Sequence, residues 1–129
     1  MLPAIDEDHL RARAPDSVVS LDGGMICVLI PSFPLPANFT KTNADLLLRL
    51  SPGYPDVPPD MWWFEPPVLR ADGRPIAATD VHENYLGRTW QRWSRHLAPG
   101  QWRSGIDSLE SFLALVRKEL EMAAKVLAA

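Results

Sequence analysis

Few side chains in this 129-residue chain are suited to covalent chemistry: one cysteine, Cys27, and three histidines, His9, His82 and His96. As a thiolate Cys27 would be a nucleophile, but it lies inside the apolar run Met25-Ile26-Cys27-Val28-Leu29-Ile30. Free cysteine in such a run behaves as a small buried hydrophobe, and burial raises its pKa. Core packing is therefore expected of it. His82 and Asn84, two residues apart, would suit proton transfer beside an amide that stabilises an oxyanion. Each also has a structural reading, with Asn84 as a turn residue bonding its own backbone and His82 as a buttress of the fold. Ser94 and His96 are also two apart, but no Gly-x-Ser-x-Gly elbow surrounds the serine, so a nucleophile–base pair is not expected. The histidines show no close ligand spacing and have no cysteine support, so neither a metal nor another cofactor is expected.

Binding chemistry is richer. Trp90, Arg92, Trp93, Arg95 and His96 stand close together, and Trp and Arg are enriched at protein–protein hot spots. This segment is the expected partner-binding surface. The alternatives are that Trp90 and Trp93 plug the core, or that the segment stacks on single-stranded nucleic acid. A net charge of −3 provides no general attraction for phosphate backbones or anionic lipid. Neither a nucleic-acid nor a membrane partner is expected.

The elements that must position these residues follow from patterning. Asp6–Arg13 has acids first and arginines last, as suits a short helix, and Pro15 stops it. Asp22-Gly23-Gly24 is a turn between Val18-Val19 and the apolar Met25–Ile30, which predicts a hairpin with a central second strand. Ala44–Leu50 and Met61–Phe64 read as the third and fourth strands. Between them Tyr54-Pro55-Asp56-Val57-Pro58-Pro59 is too proline-dense for a central strand and forms a stiff brace. Val68–Gly105 shows little periodicity and is expected to be irregular. Ile106, Leu109, Phe112, Leu113, Val116 and Leu120 then recur at helical steps, with Asp107 and Glu110 as a capping pair. The expectation is one α+β domain over 1–129: an antiparallel four-stranded meander packed against a C-terminal helix, with a short N-terminal helix. The acidic start Asp6-Glu7-Asp8 does not suit a secretory signal, and no run approaches the ~18 apolar residues of a membrane helix. A cytoplasmic protein is expected.

The glycine-turn hairpin, Tyr54-Pro55 with Pro58-Pro59, His82-Glu83-Asn84, and Gln101-Trp102 before the last helix occur in an order that resembles the ubiquitin-conjugating (UBC-like) superfamily, which includes the inert RWD domains. The resemblance covers a core of about 18–122. Gly53–Met61 and Leu86–His96 are similar, more narrowly, to prokaryotic E2-like family E. The resemblance implies a UBC-like fold and partners in a bacterial ubiquitin-like modification system: a ubiquitin-like protein, an activating-enzyme-like protein, or both. It also implies a thioester cysteine three residues after the glycine that follows His-Pro-Asn. Here Glu83 replaces the proline, Gly87 matches the glycine and Trp90 stands where the cysteine belongs. The expected function is therefore that of a catalytically inactive E2-like binding protein. An active transferase with an atypical nucleophile and an RWD-type scaffold are the alternatives.

Overall fold

The computed structural model describes residues 1–125. Helix α1 (Ala4–Arg13) carries Asp6 and Glu7 in its first turn and Arg11 and Arg13 in its last, each near the helix-dipole end that favours its charge. Strands β1 (Val18–Asp22) and β2 (Met25–Pro34) form the expected hairpin. Gly23 and Gly24 both have positive φ, the backbone that a two-residue turn between twisted strands requires. Strand β2 is buried on both faces through Ile26, Cys27 and Val28, as a central strand must be. Strands β3 (Asn43–Leu50) and β4 (Trp62–Glu65) complete the expected meander.

The sheet does not end there. Two further strands, β5 (Val81–Tyr85) and β6 (Arg88–Trp93), give a six-stranded antiparallel sheet of order β1-β2-β3-β4-β6-β5. This corrects the four-strand count, and it corrects the irregular reading of Val68–Gly105 over those two strands alone, the rest of that stretch having no helix or strand. The hairpin turns on Leu86 and Gly87, at φ 54° and 72°, without the Asn-Gly or Asp-Gly that usually signals such a turn. Strand β6 is buried on both faces, by Trp90 on one and by Gln91 and Trp93 on the other, so hydrophobic alternation is lost. Gln91 is tolerated there because both its oxygen and its nitrogen are hydrogen-bonded. Its Oε1 accepts from Val68 N at 2.8 Å and Trp93 Nε1 at 3.0 Å, and its Nε2 donates to Val68 O at 3.1 Å.

Helix α2 (Leu109–Ala124) lays Leu109, Phe112, Leu113, Val116 and Leu120 onto the inner sheet face, against Leu46, Leu48, Trp62, Phe64 and Trp93. Trp62 meets Phe112 edge-on with ring centroids 5.8 Å apart, a favoured aromatic geometry. Ser108, not Asp107, is the N-cap: its N–H donates to Ser111 Oγ at 2.9 Å. Asp107 instead accepts from Arg103 N at 2.7 Å, and Ile106 is exposed outside the helix. At the far end, no basic residue lies in the last turn of α2. Arg70 supplies the charge from elsewhere, donating to Ala123 O and Lys125 O, while Asn38 Nδ2 donates to Ala124 O at 3.0 Å.

The proline brace joins these layers. Tyr54 is buried, and its ring lies 6.0 Å from that of Trp102, whose Nε1 donates to Pro55 O at 2.9 Å. The two landmarks, nearly fifty residues apart, therefore touch. Tyr54 Oη donates to Asp6 Oδ2 at 2.7 Å, and the other oxygen of Asp6 accepts from Leu109 N at 2.9 Å. One buried carboxylate thus ties α1, the brace and the first turn of α2 together.

Candidate functional site

Strand pairing decides which candidate side chains can meet. Cys27 pairs with Arg49 and Ser20, Leu47 with Leu29 and Trp63, and Trp63 with Arg92. Because side chains alternate between faces, these residues share the outer face, away from α2. There Cys27, Leu47, Trp63 and Trp90 form a second, smaller core, with Leu29, Met61 and Tyr85 packed against it. Asn84 and His82 fall on the other face, cross-strand from Thr89 and Gln91. The thiol and the His-x-Asn pair are therefore on opposite sides of one sheet. Asn84 is a strand residue, not a turn residue, and its Oδ1 accepts from Thr89 Oγ1 at 2.7 Å. His82 is exposed.

The outer core is roofed by charge. Arg49 lies 3.8 Å above the Tyr85 ring and its Nη1 reaches Asp22 at 2.9 Å. Arg88 covers Trp90 at 4.5 Å and bonds Asp45 at 2.7 Å and Glu65 at 3.0 Å. Arg92 pairs with Glu83 at 3.4 Å, and Glu83 also accepts from Trp63 Nε1 at 2.9 Å. The arginines bring planar, polarisable surface onto aromatic rings as well as charge.

Cys27 is fully buried beneath this roof, with Arg49 Nη1 at 3.3 Å from its sulfur. Burial pushes its thiol pKa up, with Asp22 adding to the rise, and the nearby Arg49 opposes this less strongly. Native protein is accordingly expected to resist iodoacetamide, with Cys27 alkylated at least about a thousandfold faster in denaturant, since only about one molecule in 10³ or fewer is unfolded at ordinary stabilities. Mass spectrometry reads this directly, and equal native and denatured rates would place the thiol at the surface.

Where the brace passes the outer face, a cleft of about 350 Å³ opens. Met25, Met61, Trp63 and Tyr85 supply its apolar surface, Arg49, Arg92 and Glu83 its charge, and Val57, Pro58 and Asp60 its brace-side wall. It joins the brace to the β5–β6 hairpin, the two stretches that stand out in the sequence. The sequence model of prokaryotic E2 family E matches residues 2–123.

The chain belongs to prokaryotic E2 family E. No curated protein and no solved structure matches it. In this family E chain the segment from Trp90 to His96 is distributed over several environments. Trp90 and Trp93 are fully buried on opposite faces of β6. Trp90 Nε1 donates to Tyr85 O at 3.0 Å and so supports the cleft from beneath. Arg92 lines the cleft, and exposed His96 contacts Asp60 of its wall at 2.6 Å. Arg95 covers Trp93 at 4.9 Å and faces Glu119 of α2. Ser94 Oγ accepts from Arg92 Nε at 3.1 Å, while His96 is engaged by Asp60. Tyr85, Met25 and Arg49 were not among the sequence candidates. They lie far apart in sequence, and only Arg49, a charge interrupting an apolar strand, carried a signal. Among the described residues no group of three or more His, Cys, Asp or Glu is placed to hold a metal, and no helix is long and apolar enough to cross a membrane.

Proposed function

We propose that this E2-like protein has a UBC-like fold and acts by docking, not by carrying a thioester, within a bacterial ubiquitin-like modification system. The burial of Cys27 carries this reading. A thioester carrier needs an accessible, deprotonated thiol, and the chain's single cysteine is fully buried beneath Arg49 with its pKa raised. The partner is a ubiquitin-like protein or an activating-enzyme-like subunit, and it seats in the outer-face cleft. Methionine, aromatic and arginine side chains around a concavity are the composition of a binding hot spot. Arg92 and His96 contribute at the cleft and its wall, while Trp90 holds Tyr85 from below. Trp93 and Arg95 support the packing of β6 against α2.

The test is to mix the protein with ubiquitin-like and activating-enzyme-like proteins of its own organism. Binding is expected with Kd at or below about 100 μM, the weak end of functional contacts. Val57→Glu, which adds a charge at the exposed cleft wall, should weaken it at least about tenfold, as a loss of 1.4 kcal/mol would, without changing Tm. No binding by either protein would remove the docking reading. Incubation with the activating enzyme, ATP and the ubiquitin-like protein should give no reducible adduct. An adduct abolished by Cys27→Ala would establish the transferase instead.

A further inference from the structure

On the helical side of the sheet, a second concavity of about 370 Å³ lies where the last turn of α1 meets β2 and the middle of α2. That is within the size range of small-molecule sites. Leu10, Ile30, Phe33 and Leu113 are the nearly buried part of its apolar lining, Pro15, Pro31 and Pro34 add more accessible apolar surface, and Arg13 and Arg117 also line it. The state of these two arginines is unusual for this chain. Of its ten arginines, seven lie within 4.0 Å of a carboxylate among the described residues: Arg11, Arg49, Arg70, Arg74, Arg88, Arg92 and Arg95. Arg13, Arg103 and Arg117 do not, and two of those three border this one cavity.

Other features point the same way. The Arg117 guanidinium sits 5.3 Å from the Phe33 ring centroid, so it is already placed at the apolar surface. His9 belongs to the wall; its Nδ1 faces Glu110 at 3.2 Å, and its buried Nε2 has no hydrogen-bond partner. Asp16 is the acid among the lining residues, which with two arginines leaves a surplus of one positive charge. That balance suits a monoanion better than a phosphate dianion, because Asp16 would repel the second charge. A bare anion would leave the apolar surface in water, whereas a hydrocarbon body would cover it.

We propose that this concavity binds a small organic acid, with its carboxylate held by Arg13 and Arg117 and its hydrocarbon body against the apolar lining of Pro15, Pro31 and Pro34. Guanidinium–carboxylate recognition combines charge with directed hydrogen bonds, and the apolar surface adds selectivity for chain over charge alone.

The test is an amide NMR titration of the full chain with hexanoate, using hexanol and acetate as controls. Hexanoate should produce saturable shifts at Ser17, Phe33 and Leu113 in the millimolar range. Hexanol, which lacks the charge, and acetate, which lacks the chain, should each bind at least about fivefold more weakly, since a charge-assisted contact or two buried methylenes are each worth about that or more. Arg13→Gln and Arg117→Gln should each weaken hexanoate by a similar factor. Both side chains are exposed, so Tm should fall by no more than about 3 °C, the effect of a surface helix-dipole contact of at most about 1 kcal/mol. The proposal is overturned if no saturable shift develops by about 50 mM, an affinity too weak for a formed site. Equal binding of hexanol, or of hexanoate to both arginine variants, overturns it as well.

Discussion

Asp6→Ala is expected to lower the unfolding free energy by about 3–6 kcal/mol, because charge-assisted hydrogen bonds contribute about 1.5–3 kcal/mol each and two are lost together. Asp6 is 1% exposed, and its oxygens accept from Tyr54 Oη and Leu109 N. Alanine would leave a phenol and a helix N-terminal N–H without partners in a dry site, the costlier half of the loss. For a chain of this size the change should appear as a drop of roughly 10–20 °C in Tm. Tyr54→Phe should cost less, about 1–3 kcal/mol, because the carboxylate keeps its bond to the helix. The same contact sets an alkaline limit. Burial, then the bond to Asp6, holds the Tyr54 phenol pKa above its usual value of 10.0. The native state therefore keeps a proton that the unfolded chain releases near pH 10, so this contribution is complete below that pH and declines as pH rises above it. Urea titrations and thermal melts of wild type, Asp6→Ala and Tyr54→Phe at neutral and alkaline pH measure all of this. A Tm within about 3 °C of wild type for Asp6→Ala, less than 1 kcal/mol, would show that the carboxylate ties nothing together.

Trp90→Cys is expected to destabilise the protein without creating a conjugating enzyme. The position is where the family resemblance places a thioester cysteine, yet here it is the middle of β6 in the outer core. Replacing a buried tryptophan by a much smaller side chain costs about 3–5 kcal/mol through lost transfer energy and the cavity left behind. The substitution also removes the indole bond to Tyr85 O and the surface on which Arg88 lies. His82 and Asn84 would remain on the opposite face of the sheet from the new thiol. Urea unfolding should show the loss. Incubation with activating enzyme, ATP and the ubiquitin-like protein should show no reducible adduct by mass spectrometry. A stable Trp90→Cys protein that accepts the ubiquitin-like chain would mean that the site is a thioester scaffold missing one atom, and the docking reading would fail.

Strong local patterns carried much of the architecture. The apolar runs of β2, β3 and β4, the glycine turn before β2 and the helical stripe from Leu109 to Leu120 each state their element within a few residues. The expected helix from Asp6 to Arg13 lies within α1, which begins two residues earlier. The cap of α2 was less legible because Asp107 and Ser108 are both capable caps, and Asp107 is occupied by Arg103 N. The β5–β6 hairpin was not legible, since its turn is Leu-Gly and its second strand is buried on both faces. Family membership could also be read at this level, because Gly53–Met61 and Leu86–His96, the stretches that resemble the family, are local in sequence.

By itself, then, the sequence determined the α+β class, the E2-like family and the presence of a single cysteine within an apolar strand, because each rests on residue type and short-range spacing. Only the tertiary structure decided sidedness and company. It put Cys27 on one face and His82 with Asn84 on the other, buried both Trp90 and Trp93, and brought Arg49, Tyr85 and Met25 to the brace. It also joined Asp6 to Tyr54 and Leu109 across 48 and 103 residues. The reason is register: a side chain's face follows from how strands pair, and a shift of one residue would reverse it. Pairing is settled by the burial of the whole sheet, which no local window contains.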